Sequence, residues 1–326
     1  MKILLLRFSS IGDIVLTTPV VRCLKRQLGA EIHYLTKAPF ATVLAPNPHI
    51  NRVFTFENRV GEALPALRRE KYDWIIDLHH NLRSLQVKWA LRRPARSFNK
   101  LNLEKWLLVH TGIDRLPPVH IVHRYLDTAR HLGVEYDGGG LDYFIPPDQE
   151  MLPGNLPANL SSGEYYAFVI GATHATKRLP AEKIAAVCQR LRKPVALLGG
   201  PAEAETGDRI AAGARNHAIN LCGKLTLHQS ASVVRQALAV ATHDTGLMHV
   251  AAAFGKRIVS IWGNTVPKFG MYPFFPDGVH LNTTIENKTL KCRPCSKIGY
   301  DRCPKNHFHC MNALDIAQIC SALENP

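Results

Sequence analysis

Three short stretches of this chain hold residues whose types and spacing suit a proton transfer and the binding of a diphosphate. The first is Ser9-Ser10-Ile11-Gly12-Asp13, which follows an apolar run at 3–8. A carboxylate at the carboxyl end of a strand can take the proton from an attacking hydroxyl. Asp is equally an ordinary residue of a first helical turn, so both readings stand at this point. The second stretch is His243-Asp244-Thr245-Gly246-Leu247-Met248-His249, where an apolar run at 238–241 ends and a small-residue helix at 247–254 is predicted to begin. A strand, a Gly-containing turn and a helix start bring unpaired N–H groups and the positive end of a helix dipole to one point, which suits a phosphate. An Asp or Thr N-cap without a ligand uses the same residues. The third is Ala172-Thr173-His174-Ala175-Thr176-Lys177-Arg178. Thr173, Thr176 and Lys177 are candidates to grip a diphosphate together with the N–H groups after Asp244; a solvated basic loop is the plainer alternative.

Two further groups complete the candidates. Glu203 follows Gly199-Gly200-Pro201, and a carboxylate after that strand suits the vicinal hydroxyls of a ribose. His79, Asn81 and Arg83, in Asp77-Leu78-His79-His80-Asn81-Leu82-Arg83-Ser84, follow another strand. With Ser10 and Gly12 of the first turn they are candidates to bind an anionic acceptor, although either His could simply be partly buried and hydrogen-bonded.

The cysteines divide into two sets. Cys23, Cys188, Cys222 and Cys320 lie on or beside apolar segments and are expected in the core. Cys292, Cys295, Cys303 and Cys310 crowd into one loop at 291–310, with His307 and His309 as alternative ligands. A CxxC with two further Cys nearby has the makings of a structural zinc site, and a set of reduced thiols is the alternative. A closed four-ligand site leaves no open position, so the loop is not expected to take part in catalysis.

The elements that must position these residues alternate strictly. Strands are predicted at 3–8, 31–36, 52–56, 74–78 and 95–98, with helical segments between them; the first runs from 14 to 28, contains Pro19 as a kink or break, and ends at Gly29. From 145 to 164 the pattern lapses into Pro, Gly, Asn and Ser, as a linker would. A second series follows, with strands at 165–171, 194–200, 219–222, 238–241 and 257–262. Each series reads as βαβ units, hence two Rossmann-like α/β domains facing a central cleft. The expected bounds are 1–150 for the first domain and 164–312 for the second.

The chain has 326 residues, 46% of them hydrophobic, a formal net charge of +14 and a pI near 9.5. That charge implies an anionic partner. Nucleic acid is not expected, because the basic residues are dispersed and no recognised nucleic-acid motif occurs. The apolar run near the start is broken by Arg7, so it reads as a buried strand rather than a signal peptide. No run approaches the roughly 20 apolar residues of a membrane span. The expectation is a cytoplasmic protein that touches a membrane from outside at most.

Together these residues resemble the heptosyltransferase family of lipopolysaccharide core assembly, glycosyltransferase family 9. The resemblance rests on Arg7-Phe8-Ser9-Ser10-Ile11-Gly12-Asp13-Ile14, on Lys177, and on Asp244-Thr245-Gly246-Leu247-Met248-His249-Val250-Ala251-Ala252 with Gly255-Lys256, and it covers essentially the whole chain. It implies a GT-B fold, with an acceptor-binding domain at 1–150, a nucleotide-sugar-binding domain at 164–312 and a C-terminal helix at 313–326 returning to the first domain. It further implies an inverting transfer of heptose from ADP-heptose to a 3-deoxy-octulosonate or a heptose on lipid A, at the cytoplasmic face of the inner membrane and with no cofactor required for catalysis. Asp13 would then be the base and Lys177 the cation that neutralises the leaving diphosphate. Thr173, Thr176, Asp244, Thr245, Gly246 and His249 would line the donor, with Glu203 on its adenosine side. Ala175 stands before Thr176 where better-known members have paired hydroxyls. The alternatives are a different nucleotide sugar for another surface glycan, or a glycolipid-binding protein without turnover.

Overall fold

Aliphatic runs short enough for strands alternate with helices, and in the structure, a computed structural model that describes residues 1–215 and 217–325, they form two parallel sheets. The first contains β1 (Lys2–Leu6), β2 (Glu31–Lys37), β3 (Arg52–Phe56), β4 (Trp74–Asp77) and β5 (Ala95–Ser97), in the order β3-β2-β1-β4-β5. Its central strand is apolar on both faces because helices cover both, and Ile3, Leu4, Leu5 and Leu6 are fully buried. The second contains β6 (Tyr166–Val169), β7 (Val195–Leu198), β8 (Ala218–Asn220), β9 (Val240–His243), β10 (Ile258–Trp262) and β11 (Asn282–Glu286), in the order β11-β10-β9-β6-β7-β8. In both sheets the chain leaves the first strand to one side and later returns on its other side. The connections after β1 and β4, and after β6 and β9, therefore diverge and leave a crevice at the carboxyl edge.

Among the described residues ten of the eleven strands overlap the predicted ones, although β9 runs on to His243, two residues past its expected end. The eleventh, β11, reads Asn-Thr-Thr-Ile-Glu and buries only Ile285, as an edge strand can; it carries no apolar signal of its own. Pro19 divides the expected first helix into Ile11–Val15 and Thr18–Leu28, and it sits in the first turn of the second piece, where a missing N–H costs nothing. Gly29 ends that helix with φ of 59°, the left-handed conformation that suits Gly.

The two compact units do not follow a simple division at 150. One comprises Met1–Leu101, Val119–Phe144 and Pro276–Gly278; the other comprises Asn102–Pro118, Ile145–Phe275 and Val279–Pro326. Within the second unit Asp114 pairs with Lys268, and the Lys105 ammonium lies 5.9 Å from the Phe269 ring centroid, which accounts for the displaced 102–118 segment. The Pro- and Gly-rich stretch also belongs there. Met151 N–H donates to Ser232 Oγ at 3.0 Å, and Gln236 Nε2 donates to the Met151 carbonyl at 2.7 Å. The C-terminal helix, Ile316–Glu324, belongs to the second unit, where its buried Ile319, Cys320 and Leu323 pack against the helix Ala181–Arg190 and against β10 and β11. Each such side chain contributes roughly 1.5–3 kcal/mol by leaving water, enough to hold a nine-residue helix. Among the described residues no helix is long and apolar enough to cross a membrane.

Candidate active site

In the first unit the carboxyl edge of β1 is organised by an Arg–Asp pair. Arg7 is 8% exposed, and a guanidinium so buried needs every donor occupied. Its Nε donates to the Ser9 carbonyl at 2.7 Å, and Nη1 donates to the Leu78 carbonyl at 2.7 Å and contacts the Tyr125 hydroxyl at 3.0 Å. Nη2 meets Asp13 Oδ1 at 2.5 Å. Asp13 Oδ2 accepts from Ser10 N–H at 3.1 Å and from Ser10 Oγ at 2.8 Å. Burial pushes the Asp13 carboxyl up, but the Arg7 charge and the Ser10 donors outweigh it and hold the group below its ordinary range. Asp13 closes the first turn of the helix Ile11–Val15 and is held as a carboxylate, with its side chain 18% exposed. Ser10 is exposed and bound to Asp13, and Gly12 is buried inside the short helix.

The connection after β4 is fixed by Asp77, which is fully buried. Asp77 Oδ1 accepts from the N–H groups of His79 and His80, at 3.1 and 2.7 Å, while Oδ2 takes Ser84 Oγ and Lys88 Nζ, both at 2.8 Å. His79 stacks obliquely on Phe8 with ring centroids 4.6 Å apart. Burial and the neighbouring Arg7 charge push His79 down to about 4, so it presents a neutral ring and not a cation. Asn81 accepts from Ser84 N–H at 3.0 Å as the N-cap of the helix Leu82–Leu91, and Arg83 is exposed on that helix. Of the expected acceptor residues, the structure brings His79 towards the Arg7–Asp13 pair, through Phe8 and the Leu78 carbonyl.

In the second unit the connections after β6, β9 and β10 meet at one ion pair. Lys177 Nζ lies 2.6 Å from Asp244 Oδ2, which also accepts from Thr265 Oγ1 at 3.1 Å. Asp244 and Thr245 precede the helix Gly246–Ala253, whose first N–H groups have no partner within the helix. Thr245 Oγ1 is 3.3 Å from Thr242 Oγ1, Thr173 is exposed on its loop, and His249 is buried in the helix. His243, at the end of β9, accepts from Leu179 N–H at 2.9 Å and so fastens the Lys177 loop to the neighbouring strand. Burial pushes His243 down to about 4 and keeps it neutral for that role.

Glu203 reaches back to the carboxyl edge of β6 and β7. It accepts from Gly200 N–H at 2.9 Å and lies 3.4 Å from Arg178. A Cβ on Gly171 would come within 3.1 Å of its carboxylate, and one on Gly199 within 2.9 Å of its own Cβ, so both glycines are there to admit it. Sequence reasoning missed Thr265 and its neighbour Asn264, which is 1% exposed and has neither amide atom hydrogen-bonded among the described residues. Their position after β10, beside the Gly246–Ala253 turn, was the signal available. It also missed the clamp by Arg7, although an Arg ending an apolar strand needs a nearby carboxylate.

Thr176 takes a different role from the expected one. It is 2% exposed; its hydroxyl donates to the Tyr300 carbonyl at 3.0 Å and accepts from Tyr300 N–H at 2.8 Å. It straps the Cys-rich loop to the donor loop and does not face a ligand. Arg293, between Cys292 and Cys295, makes the second strap, donating to the carbonyls of Gly263, Asn287 and Thr265 at 2.5, 2.6 and 2.9 Å and pairing with Glu286 at 3.0 Å. Within the loop Cys292 Sγ lies 3.8 Å from His307 Nε2. Among the described residues the ligand atoms that gather in threes within 4.8 Å are those of Glu31, His33 and Glu70, not those of this loop. There Lys2 Nζ supplies the cation, 3.2 Å from Glu31 and 2.8 Å from Glu70. Burial and the neighbouring thiols Cys295, Cys303 and Cys292 push the Cys310 thiol up to about 11, so the four cysteines of the loop lie near one another, with His307 beside Cys292.

Comparisons with known proteins bear on the family and the fold. The chain is 27% identical to lipopolysaccharide heptosyltransferase 1 of Pseudomonas aeruginosa, over 91% of this chain and 86% of that one, and 24% identical to lipooligosaccharide heptosyltransferase 2 of Haemophilus influenzae, over 92% and 93%. Its fold resembles that of Escherichia coli ADP-heptose lipopolysaccharide heptosyltransferase II, with a TM-score of 0.66, 22% identity and coverage of 98% and 99%. It likewise resembles E. coli heptosyltransferase WaaC with ADP, with a TM-score of 0.68, 20% identity and coverage of 99% and 100%. The two Rossmann-like sheets are those of a GT-B glycosyltransferase. The model of glycosyltransferase family 9 (heptosyltransferase) matches residues 62–300, and the chain belongs to that family.

Proposed function

We propose that the protein transfers heptose from ADP-heptose to an inner-core lipopolysaccharide acceptor, a 3-deoxy-octulosonate or a heptose on lipid A, with inversion at the anomeric carbon. The observation that carries the reading is Asp13. A carboxylate offers about four acceptor positions; Arg7 and the two Ser10 donors take three, which leaves one on Oδ1 for a substrate hydroxyl. As the acceptor oxygen forms its bond to the anomeric carbon, its proton passes to Asp13 and the bond from that carbon to the diphosphate breaks. The electron pair leaves with the diphosphate. A low-pKa carboxylate is a weak base in the ground state, but the hydroxyl becomes strongly acidic as it bonds to an oxocarbenium-like centre, so a late proton transfer suffices.

Lys177 and the first N–H groups of the helix Gly246–Ala253 supply positive charge where the diphosphate develops its own. Lys177 is paired with Asp244 at 2.6 Å in the free protein, and the donor phosphates compete for that ammonium. Glu203 stands where a ribose would be read. Heptose as the sugar and the inner core as the acceptor are supported by the similarity to lipopolysaccharide heptosyltransferases. Isothermal titration with ADP-heptose, ADP and unrelated nucleotide sugars tests the donor. Selective binding of ADP-heptose and ADP is expected; preference for another nucleotide sugar would overturn the heptose assignment.

A further inference from the structure

The helix Leu82–Leu91 has two apolar faces, and only one meets the core. Val87 is buried and Leu91 packs against the hydrophobic cluster of the first unit. On the opposite side Leu82 is 84% exposed, Leu85 55% and Trp89 73%. At 100° per residue these three fall within one sector of about 60°. Arg83 lies on one flank of that sector and Arg92, which ends the helix, on the other; Arg93 follows, and all three are exposed. No Asp or Glu occurs between Asp77 and Glu104.

We propose that this face docks the protein on an anionic bilayer surface, with Leu82, Leu85 and Trp89 entering the boundary between headgroups and acyl chains and Arg83, Arg92 and Arg93 meeting the headgroup phosphates. Three large apolar side chains held outward on a folded helix lose apolar hydration only when something covers them. The flanking charge selects the cover. A second copy of this chain would set the same arginines against one another, whereas an anionic leaflet neutralises them. Trp and Leu above a basic rim is the composition of helices that lie in a membrane interface. The helix begins at Asn81, two residues after His79, so the docked face adjoins the carboxyl edge that carries Asp13. This rests on reading the acceptor as lipid-borne: the bilayer would then deliver the acceptor sugar to the edge of the sheet where its hydroxyl is activated.

Vesicle co-sedimentation of the full chain tests the proposal, with phosphatidylcholine vesicles compared against vesicles that also contain phosphatidylglycerol. Binding is expected to the anionic vesicles at low salt and to weaken as salt rises. Leu85→Ser with Trp89→Ser is expected to lower the partition coefficient at least about tenfold and to abolish the blue shift of tryptophan fluorescence on vesicle addition. Its melting temperature and its rate on ADP-heptose with a lipid-free acceptor oligosaccharide should stay at the wild-type level, since neither residue touches the core or the site. Equal vesicle binding by wild type and variant would overturn the proposal. So would a concentration-dependent dimer that the variant dissolves, which would assign the face to a second copy. Vesicle binding lost in the variant while neither protein transfers heptose would support the docking face and remove the donor reading instead.

Discussion

At Asp13 one carboxylate serves two ends: it closes a helical turn through Ser10 N–H, and it stays ionised beside Arg7. Its depressed pKa sets a sign. Stability and activity that depend on the carboxylate are present above its ordinary value and are lost as pH falls through the lower folded one. Arg7→Met leaves only the Ser10 donors to oppose burial, so the acid limb of the kcat/KM profile should move to higher pH; an unmoved limb would separate Arg7 from the base. Lys177→Ala removes the charge aimed at the diphosphate, and titration should show ADP binding about tenfold to a hundredfold weaker, with kcat also reduced. The residue types at Asp13, Lys177, Asp244 and Glu203 were legible because each follows an apolar strand. Thr176 was misread for the same reason: a hydroxyl in a basic loop looks the same in sequence whether it faces a ligand or clamps the Tyr300 backbone. Only burial distinguishes the two.

At the scale of elements, the donor loop owes its shape to the straps around it. Thr176→Val keeps the volume and strands the Tyr300 N–H, while the Tyr300 carbonyl keeps the Thr176 N–H at 3.1 Å, a loss of about 1–3 kcal/mol. For a unit of this size that lowers the melting temperature by roughly 2–4 °C per kcal/mol, and weaker ADP binding should accompany it because Lys177 is the next residue. A calorimetric scan with and without ADP checks both. The strands and their order were largely legible, since a parallel, doubly covered strand advertises itself as an apolar run. What was not legible follows from partial burial. The polar edge strand β11 has one inward side chain, the helix Ile316–Glu324 carries an apolar stripe that any open sheet face could accept, and the segment Asn102–Pro118 is placed by contacts far away in the chain.

At the scale of the whole molecule, two neutral histidines, His243 buried and His79 half-buried, and a strong positive charge govern the response to solution conditions. His79 and His243 titrate near 4 in the folded protein against an ordinary 6.5. Between those values the unfolded chain binds protons that the folded one does not, so stability should fall as pH is lowered from about 6.5 towards 4. Melting curves across that range check the slope, and a flat melting temperature would contradict the burial of both rings. The net charge of +14 gives the molecule a long-range attraction to anionic partners, while local placement decides which residues use it: Lys177 for a diphosphate, the rim of the helix Leu82–Leu91 for a leaflet.

Single-turnover transfer by Asp13→Asn, with donor affinity titrated on the same preparation, bears most directly on proton removal by Asp13. We expect ADP-heptose to bind within about twofold of wild type and transfer to the acceptor to slow by at least about a hundredfold. Transfer at the wild-type rate, or donor binding lost in step with transfer, would contradict Asp13 as the base.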